Sequence, residues 1–179
     1  MEKPIEKQII YRKTITTPLG DMIACTTKKG LCFLDFSNRK DFTILFHKMQ
    51  DTLNGIITDS SINNEENQIM DNVEKELNEY FCGGRKEFTI PLILIGTDFQ
   101  KKVWQELLQI PYGKTISYLQ EANNINQPKA FRAVANANGK NKISIIVPCH
   151  RVIANNGKLG GYGGGLNKKQ YLLNLESSN

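Results

Sequence analysis

The residue best placed to do chemistry in this sequence is a cysteine followed directly by a histidine and an arginine, in the run IIVPCHRV at 145–152. A thiolate is a strong nucleophile, and cationic neighbours such as His150 and Arg151 are expected to lower the pKa of the Cys149 thiol. A lone cysteine after an apolar segment is more often an inert core thiol, so these neighbours carry the argument. Adjacent side chains rarely point the same way, so proton transfer from Cys149 to His150 is expected to need a bridging water.

Two further segments could line a binding site. The run PKAFRAVANAN at 128–138 carries alanines at helical spacing beside a single arginine. Small residues allow either close helix packing or close approach to a nucleic-acid groove, and both remain open. The glycine-rich loop at 157–165 matches neither phosphate-binding glycine motif, so nucleotide cradling is not expected. Its backbone N–H groups beside a tyrosine suit the wall of a small planar pocket.

Composition indicates an ordinary globular protein with two electrostatically different halves. The chain is 40% hydrophobic and 23% charged. Its apolar runs are far shorter than the ~20 residues of a membrane span, and we expect no secretory signal at its start. Residues 1–96 carry 12 Lys and Arg against 14 Asp and Glu, a net charge of −2, whereas residues 97–179 carry 11 against 4, a net charge of +7. This division indicates either a polyanion partner for the second half or a solvated basic surface.

The cysteines argue against a disulfide framework and against a zinc site. None of the four belongs to a C-x-x-C pair. Cys25, Cys32 and His47 form no spacing typical of metal ligands. We therefore expect no metal, no cofactor, no membrane attachment and a cytoplasmic location.

Hydrophobic periodicity and turn residues predict an α+β fold with two domains. Residues 1–96 are predicted to form a strand-rich structural domain with an antiparallel sheet and helices. Residues 97–179 are predicted to form a mainly helical domain with a helix-turn-helix-like DNA-binding motif. Predicted strands cover 8–16, 21–27 and 31–36; predicted helices of the first domain cover 39–50 and 65–81, with a loop at 51–64 between them.

The second domain has its own start and stop signals. Thr97 and Gln100 form a predicted capping box at the start of its first helix, and Ser117 can cap a short second one. Pro128 suits the first turn of a third helix, after which Gly139 is predicted to be the left-handed cap. The segment 143–147 is predicted as a buried strand or extended run, and a last helix covers 166–175.

A resemblance to a known family covers about residues 97–176. The run PCHRV, preceded by FQKKVWQELLQIPYGKTISY and followed by GGYGGGL, resembles the methylated-DNA–protein-cysteine methyltransferases. The resemblance implies a DNA repair protein that flips 6-O-alkylguanine out of duplex DNA, with 4-O-alkylthymine as a further candidate lesion. It implies irreversible alkyl transfer to the protein's own cysteine, once per molecule, by a monomer that binds the minor groove of double-stranded DNA.

The resemblance also gives individual residues their roles. Cys149 is expected to accept the alkyl group, His150 to act as its base through a water, and Glu176 to orient the imidazole. Tyr118 is expected to help rotate the target nucleotide and to donate a proton or hydrogen bond to the leaving purine. Arg132 is expected to enter the duplex and fill the space of the flipped base.

Further site residues follow from the same resemblance. Lys129 and Ala133 are expected on the DNA-binding helix, and Asn141 is expected to support the active-site turn. The remaining residues expected to shape the pocket are Val152, Tyr162, Gly163 and Gly164.

Three positions depart from the family pattern. Lys142 stands where many relatives carry proline, so a less rigid hinge is expected there. Gly163 stands where some relatives have serine, and Glu121 is expected to place an acid near the DNA-facing side.

Two other functional classes remain open at this point. A cysteine hydrolase would also use Cys149 and His150 but would turn over. A non-catalytic helix-turn-helix module would bind DNA without chemistry.

Overall fold

A four-stranded sheet organises the first half of the chain in the computed structural model, which describes residues 7–60 and 68–179. In chain order the strands are β1 (Gln8–Thr17), β2 (Gly20–Thr27), β3 (Gly30–Phe36) and β4 (Gly55–Asp59). Their order across the sheet is β3-β2-β1-β4. Strands β1, β2 and β3 are antiparallel neighbours, as the short turns between them predict.

Strand β4 lies within 51–64, where the sequence predicts a loop, and that prediction is wrong. The two isoleucines of β4 pair with Ile9 and Ile10 in a parallel ladder with β1. The strand forms because an edge of β1 needs hydrogen-bond partners, a tertiary demand that the polar local composition does not reveal. Residues 61–67, which include the end of the predicted loop and the start of the next predicted helix, lie outside the described residues.

Six α-helices occur in the described residues. They are α1 (Phe42–Thr52), α2 (Gln68–Phe81), α3 (Asp98–Leu107), α4 (Tyr118–Asn124), α5 (Phe131–Asn138) and α6 (Leu166–Ser177). Helix α1 covers one face of the sheet, where Phe33 packs edge-on against Phe42 and Phe46. Helix α2 and the second half of the chain share one apolar core with the other face. None of these helices is long and apolar enough to cross a membrane.

Two helices of the second half, α3 and α4, begin at side-chain caps that the sequence predicts. The Thr97 hydroxyl accepts from Gln100 N, and the Gln100 side chain accepts from Thr97 N, which completes the capping box of α3. Ser117 caps α4 by accepting a hydrogen bond from Gln120 N at 3.1 Å. The α+β class with a helical second half is thereby confirmed.

The helix predicted at 128–138 ends at Asn138 as predicted, but it is divided, and the residue after it has a different conformation from the one expected. Residues 128–130 form a 3-10 turn, and α5 begins at Phe131. Gly139 has φ −65°, so the predicted left-handed cap is wrong. The chain instead continues in right-handed turns, with Lys140 N bonded to Ala137 O at 3.0 Å. These turns carry the chain directly from α5 to the active-site segment.

The free edge of β3 holds that segment. Leu34 N donates to Lys142 O at 2.8 Å, and Ser144 N donates to Leu34 O at 2.7 Å. The predicted strand at 143–147 is buried but forms only this one bridge before the chain turns. Ile145 has φ +72°, a conformation incompatible with a continuing strand. The sheet edge therefore fixes where the turn, and the cysteine after it, must lie.

The linker between the two halves packs along the same strand. Leu31 N donates to Pro91 O and Leu31 O accepts from Ile93 N, both at 2.8 Å. The buried Lys142 ammonium donates to Ile95 O at 2.9 Å, so the hinge expected to be less rigid is anchored by a hydrogen bond to the linker. The domain boundary near Gly96 stays a prediction.

Candidate active site

A cavity of about 630 Å³ opens beside the predicted nucleophile. Four of the residues predicted from the sequence line it, namely Tyr118, Cys149, Tyr162 and Gly163. Side chains from α5 and from the segment before α1 complete the wall. In residues 7–60 and 68–179, no group of three or more His, Cys, Asp or Glu is placed to hold a metal ion.

Cys149 begins a 3-10 turn at the end of the apolar segment and is 8% exposed. Its Sγ atom lies 3.4 Å from Asn141 Nδ2, which acts as a hydrogen-bond donor. The same amide donates to Val147 O at 2.9 Å, and Asn141 Oδ1 accepts from Ile143 N at 2.9 Å. One asparagine side chain thus closes the turn and contacts the sulfur that the turn presents.

His150 and Glu176 form a buried pair, with His150 Nε2 2.7 Å from Glu176 Oε1. Burial raises the pKa of Glu176, but hydrogen bonds from His150 and Arg151 outweigh it and hold this pKa at about 2. Burial lowers the pKa of His150, which makes its neutral form dominant at pH 7. A neutral imidazole facing a carboxylate donates through Nε2, which leaves Nδ1 as a proton acceptor. Among the described residues, Nδ1 has no hydrogen-bond partner.

The charges around the thiol differ from the sequence prediction. Arg151 is bound to Glu176, with Nε and Nη2 at 2.9 and 3.0 Å from the two carboxylate oxygens. Burial raises the pKa of the Cys149 thiol, and the positive charge of Arg39 is among the effects that oppose this rise. The prediction that His150 and Arg151 lower the thiol pKa is therefore wrong, because Glu176 engages both side chains.

Arg39, which the sequence gives no reason to select, lies in the cavity wall. Its guanidinium is bound to buried Asp35 at 2.7 Å and to Asp41 at 2.6 Å. It also donates to the backbone carbonyls of Asn141, at 3.1 Å, and of Gly139. A cation from the first half of the chain therefore holds both ends of the turn that leads to the cysteine.

Lys169 is a second site residue that the sequence does not predict, because its local sequence is typical of a surface lysine. It is fully buried, and its ammonium donates to Val152 O at 2.6 Å and to Gly161 O at 3.1 Å. Burial lowers its pKa to about 8. Its Nζ lies 5.9 Å from the centre of the Tyr118 ring. Val152, expected to shape the pocket, contributes its carbonyl to this contact.

Tyr118 is the first residue of α4 and projects towards the glycine-rich loop, where its hydroxyl lies 3.4 Å from Gly161 O. Burial, together with the charge of Cys149, raises its pKa to about 12, so the phenol keeps its proton at neutral pH. Gly160 has φ +68°, and a Cβ there would lie 2.9 Å from the Tyr118 ring. Glycine is required at this position for both reasons.

The rest of the loop packs as tightly. A Cβ at Gly163 would overlap the Arg39 guanidinium, and one at Gly164 would lie 2.8 Å from the Tyr162 ring. The serine that some relatives carry in place of Gly163 would therefore have no room beside Arg39. Burial raises the pKa of the Tyr162 hydroxyl well above its usual value, so this wall of the cavity is neutral.

Helix α5 divides its residues between the cavity and the surface. Ala135 and Asn138 line the cavity. Lys129, before the helix, and Arg132 and Ala133, within it, are exposed. The structure thus places Lys129, Arg132 and Ala133 on the surface, on or just before the short helix that forms part of the cavity wall.

Glu121 is not on the DNA-facing surface, and that expectation is wrong. It is fully buried between α4 and α5, where its Oε2 accepts from Asn138 Nδ2 at 2.7 Å. Burial raises its pKa to about 8. Its helical position faces inward, next to buried Ala122, which the local sequence QEA does not reveal.

Comparison with known families assigns both halves of the chain. Residues 10–94 match the 6-O-methylguanine DNA methyltransferase, ribonuclease-like domain. Residues 98–178 match the 6-O-methylguanine DNA methyltransferase, DNA binding domain.

Individual relatives agree with these matches. The methylated-DNA–protein-cysteine methyltransferase of Methanosarcina acetivorans is 41% identical over 169 residues, which span 94% of this chain and 99% of the relative. The constitutive enzyme of that name from Bacillus subtilis is 40% identical and spans 93% and 94%. The crystal structure of Mycobacterium tuberculosis OGT in complex with DNA superposes with a TM-score of 0.80, at 41% identity, over 94% of this chain and 93% of that one.

Proposed function

The chain belongs to the 6-O-methylguanine DNA methyltransferase family, and on that premise we propose that Cys149 accepts the alkyl group from damaged guanine in DNA. The protein is a DNA repair enzyme that acts by alkyl transfer, as its relatives' names and the DNA-bound neighbour indicate. The observation that carries the role of Cys149 is its place in the wall of a cavity of about 630 Å³, large enough to admit a purine base, which the neutral Tyr118 and Tyr162 also line.

The reaction is a nucleophilic substitution at the alkyl carbon. A bond forms between Cys149 Sγ and that carbon while the bond from the carbon to the guanine 6-oxygen breaks. The thiol proton passes through a water to His150 Nδ1, the free acceptor of the neutral imidazole. Glu176 stabilises the imidazolium that forms. Tyr118 donates a proton or hydrogen bond to the leaving purine, for which its protonated state is suited.

The thiol is neutral at rest, because burial raises its pKa. Deprotonation is therefore coupled to the reaction, and the nearby charges of Arg39 and Lys169 stabilise the thiolate as it develops. The product is a thioether, which offers water no carbonyl to attack, unlike an acyl-enzyme. Each molecule consequently works once.

The lesion reaches the cavity only after the base is flipped. Unstacking and unpairing a base costs a few kcal/mol. Arg132, exposed on α5, fills the vacated space in the duplex and offsets part of that cost. The small side chain of Ala133 lets the helix approach the minor groove closely, and Lys129 contacts the phosphate backbone.

The basic half of the chain supplies sequence-independent affinity. Of the nine basic residues between 107 and 175, Lys142, Arg151 and Lys169 are buried, which leaves six for phosphate contacts. Each phosphate contact on duplex DNA contributes about −0.9 to the slope of the logarithm of the binding constant against the logarithm of salt concentration. Six contacts therefore give a slope no steeper than about −5. A monomer in the cytoplasm, where thiols stay reduced, suits a protein that works through a free cysteine.

Intact-protein mass after incubation with a duplex containing 6-O-methylguanine tests the proposal. A lasting gain of one methyl group, with loss of transfer in Cys149→Ser and nearly intact DNA affinity, is expected. Turnover of esters or amides without a lasting adduct would instead identify a cysteine hydrolase. DNA binding with no change in mass would identify a non-catalytic module.

A further inference from the structure

Helix α5 carries one exposed aromatic side chain. Phe131, the first residue of α5, is 41% exposed, while Ala130 and Ala133 lie on either side of the pair it forms with Arg132. Small neighbours leave the ring prominent on the surface. Phe131 takes no part in the transfer chemistry of Cys149, His150 and Tyr118.

Helical spacing relates this ring to the pocket. Phe131, Ala135 and Asn138 fall at i, i+4 and i+7 and therefore share one face of α5. Ala135 and Asn138 line the cavity that holds Cys149. Phe131 lies on that same face one turn nearer the helix N-terminus and is not among the residues that line the cavity.

The ring also contacts the proposed intercalating side chain. The Arg132 guanidinium carbon lies 5.7 Å from the centre of the Phe131 ring. The run from 127 to 140 contains three basic residues and no acid, so its surface is complementary to a phosphate backbone. These charges favour duplex DNA over a protein surface as the occupant of this face.

We infer that Phe131 is a second DNA-inserting residue, whose ring wedges against the base step beside the flipped nucleotide while Arg132 fills the vacated space. The inference rests on the proposed function and adds a residue to it. Apolar side chains inserted from the minor groove unstack base steps in this way. Replacing an aromatic residue on which a base stacks by alanine weakens binding by roughly 1–3 kcal/mol, which corresponds to about 5- to 150-fold.

Single-turnover rates on two substrates test the inference. For Phe131→Ala, we expect transfer from a methylated duplex to slow at least fivefold and transfer from the free base 6-O-benzylguanine to stay unchanged, because the free base needs no flipping. Phe131→Trp should keep the duplex rate within about twofold. Tyr171→Ala is the matched control, since it removes an aromatic ring 39% exposed on α6 and should change neither rate.

A fluorescent 2-aminopurine next to the lesion gives an independent readout. Wild-type protein should raise the 2-aminopurine emission by unstacking the base step, and Phe131→Ala should raise it less. The salt dependence of affinity for undamaged duplex should be the same for both proteins. Equal losses on duplex and free base, or an unchanged duplex rate, would overturn the inference while leaving the proposed function intact. If the wild-type protein transfers the alkyl group neither from the methylated duplex nor from the free base, the proposed function is refuted instead.

Discussion

Glu121 should make the protein less stable as the pH rises from about 4.5 to about 8. The carboxyl is fully buried, and among the described residues its Oε1 atom and Asn138 Oδ1 lack partners. Burial raises its pKa from the usual 4.5 to about 8. Between these values the folded state binds the proton more tightly than the unfolded state. The free energy of unfolding therefore falls with rising pH across that window and levels off above it.

The size of the effect follows from the same two values. One pH unit corresponds to ~1.4 kcal/mol of unfolding free energy per displaced proton, so the interval from 4.5 to about 8 gives a loss on the order of 5 kcal/mol. Glu121→Gln keeps the shape and the hydrogen-bonding capacity but cannot ionise. Its unfolding free energy should therefore exceed that of the wild type by a margin that grows with pH.

Urea denaturation at pH 5, 6.5 and 8 measures this margin. Glu87→Gln is the control, because it removes the same charge from an exposed position and should follow the wild-type pH profile. Parallel profiles for wild type and Glu121→Gln between pH 5 and 8 would refute the assignment of a neutral, buried carboxyl.

Three further substitutions test the geometry of the site. Glu176→Gln should slow transfer and cost roughly 3–5 kcal/mol of unfolding free energy, because it leaves the buried Arg151 guanidinium uncompensated; single-turnover rates and melting curves measure the two effects. Gly163→Ala should destabilise the fold by ~1–3 kcal/mol through overlap with Arg39, whereas Gly161→Ala, whose added Cβ meets nothing within 4 Å, should melt with the wild type. Arg132→Ala should slow transfer from duplex DNA more than from the free base, and equal losses would exclude its role in flipping.

The parts of the fold that depend on local sequence were predictable. Thr97 with Gln100 and Ser117 mark helix starts because their side chains bond to backbone groups only three residues away. The cysteine, the histidine and the tyrosine of the pocket were found through short motifs. Each of these features is encoded within a few neighbouring positions.

The parts that depend on distant segments were not predictable. Strand β4 exists because β1 offers it an edge, and Arg39 reaches the active-site turn only because β3 holds that turn beside it. Lys169 and Glu121 are charged residues in a basic or polar local context, which is typical of surface positions. Their burial follows from helix packing, and no local pattern reports it.

The most direct measurement is the location and amount of label after reaction with a duplex carrying a radiolabelled methyl group on guanine. We expect a plateau at one methyl group per protein molecule, found only on the peptide that contains Cys149. Label on Cys25, Cys32 or Cys82, transfer that survives in Cys149→Ser, or release of product beyond one equivalent would contradict it.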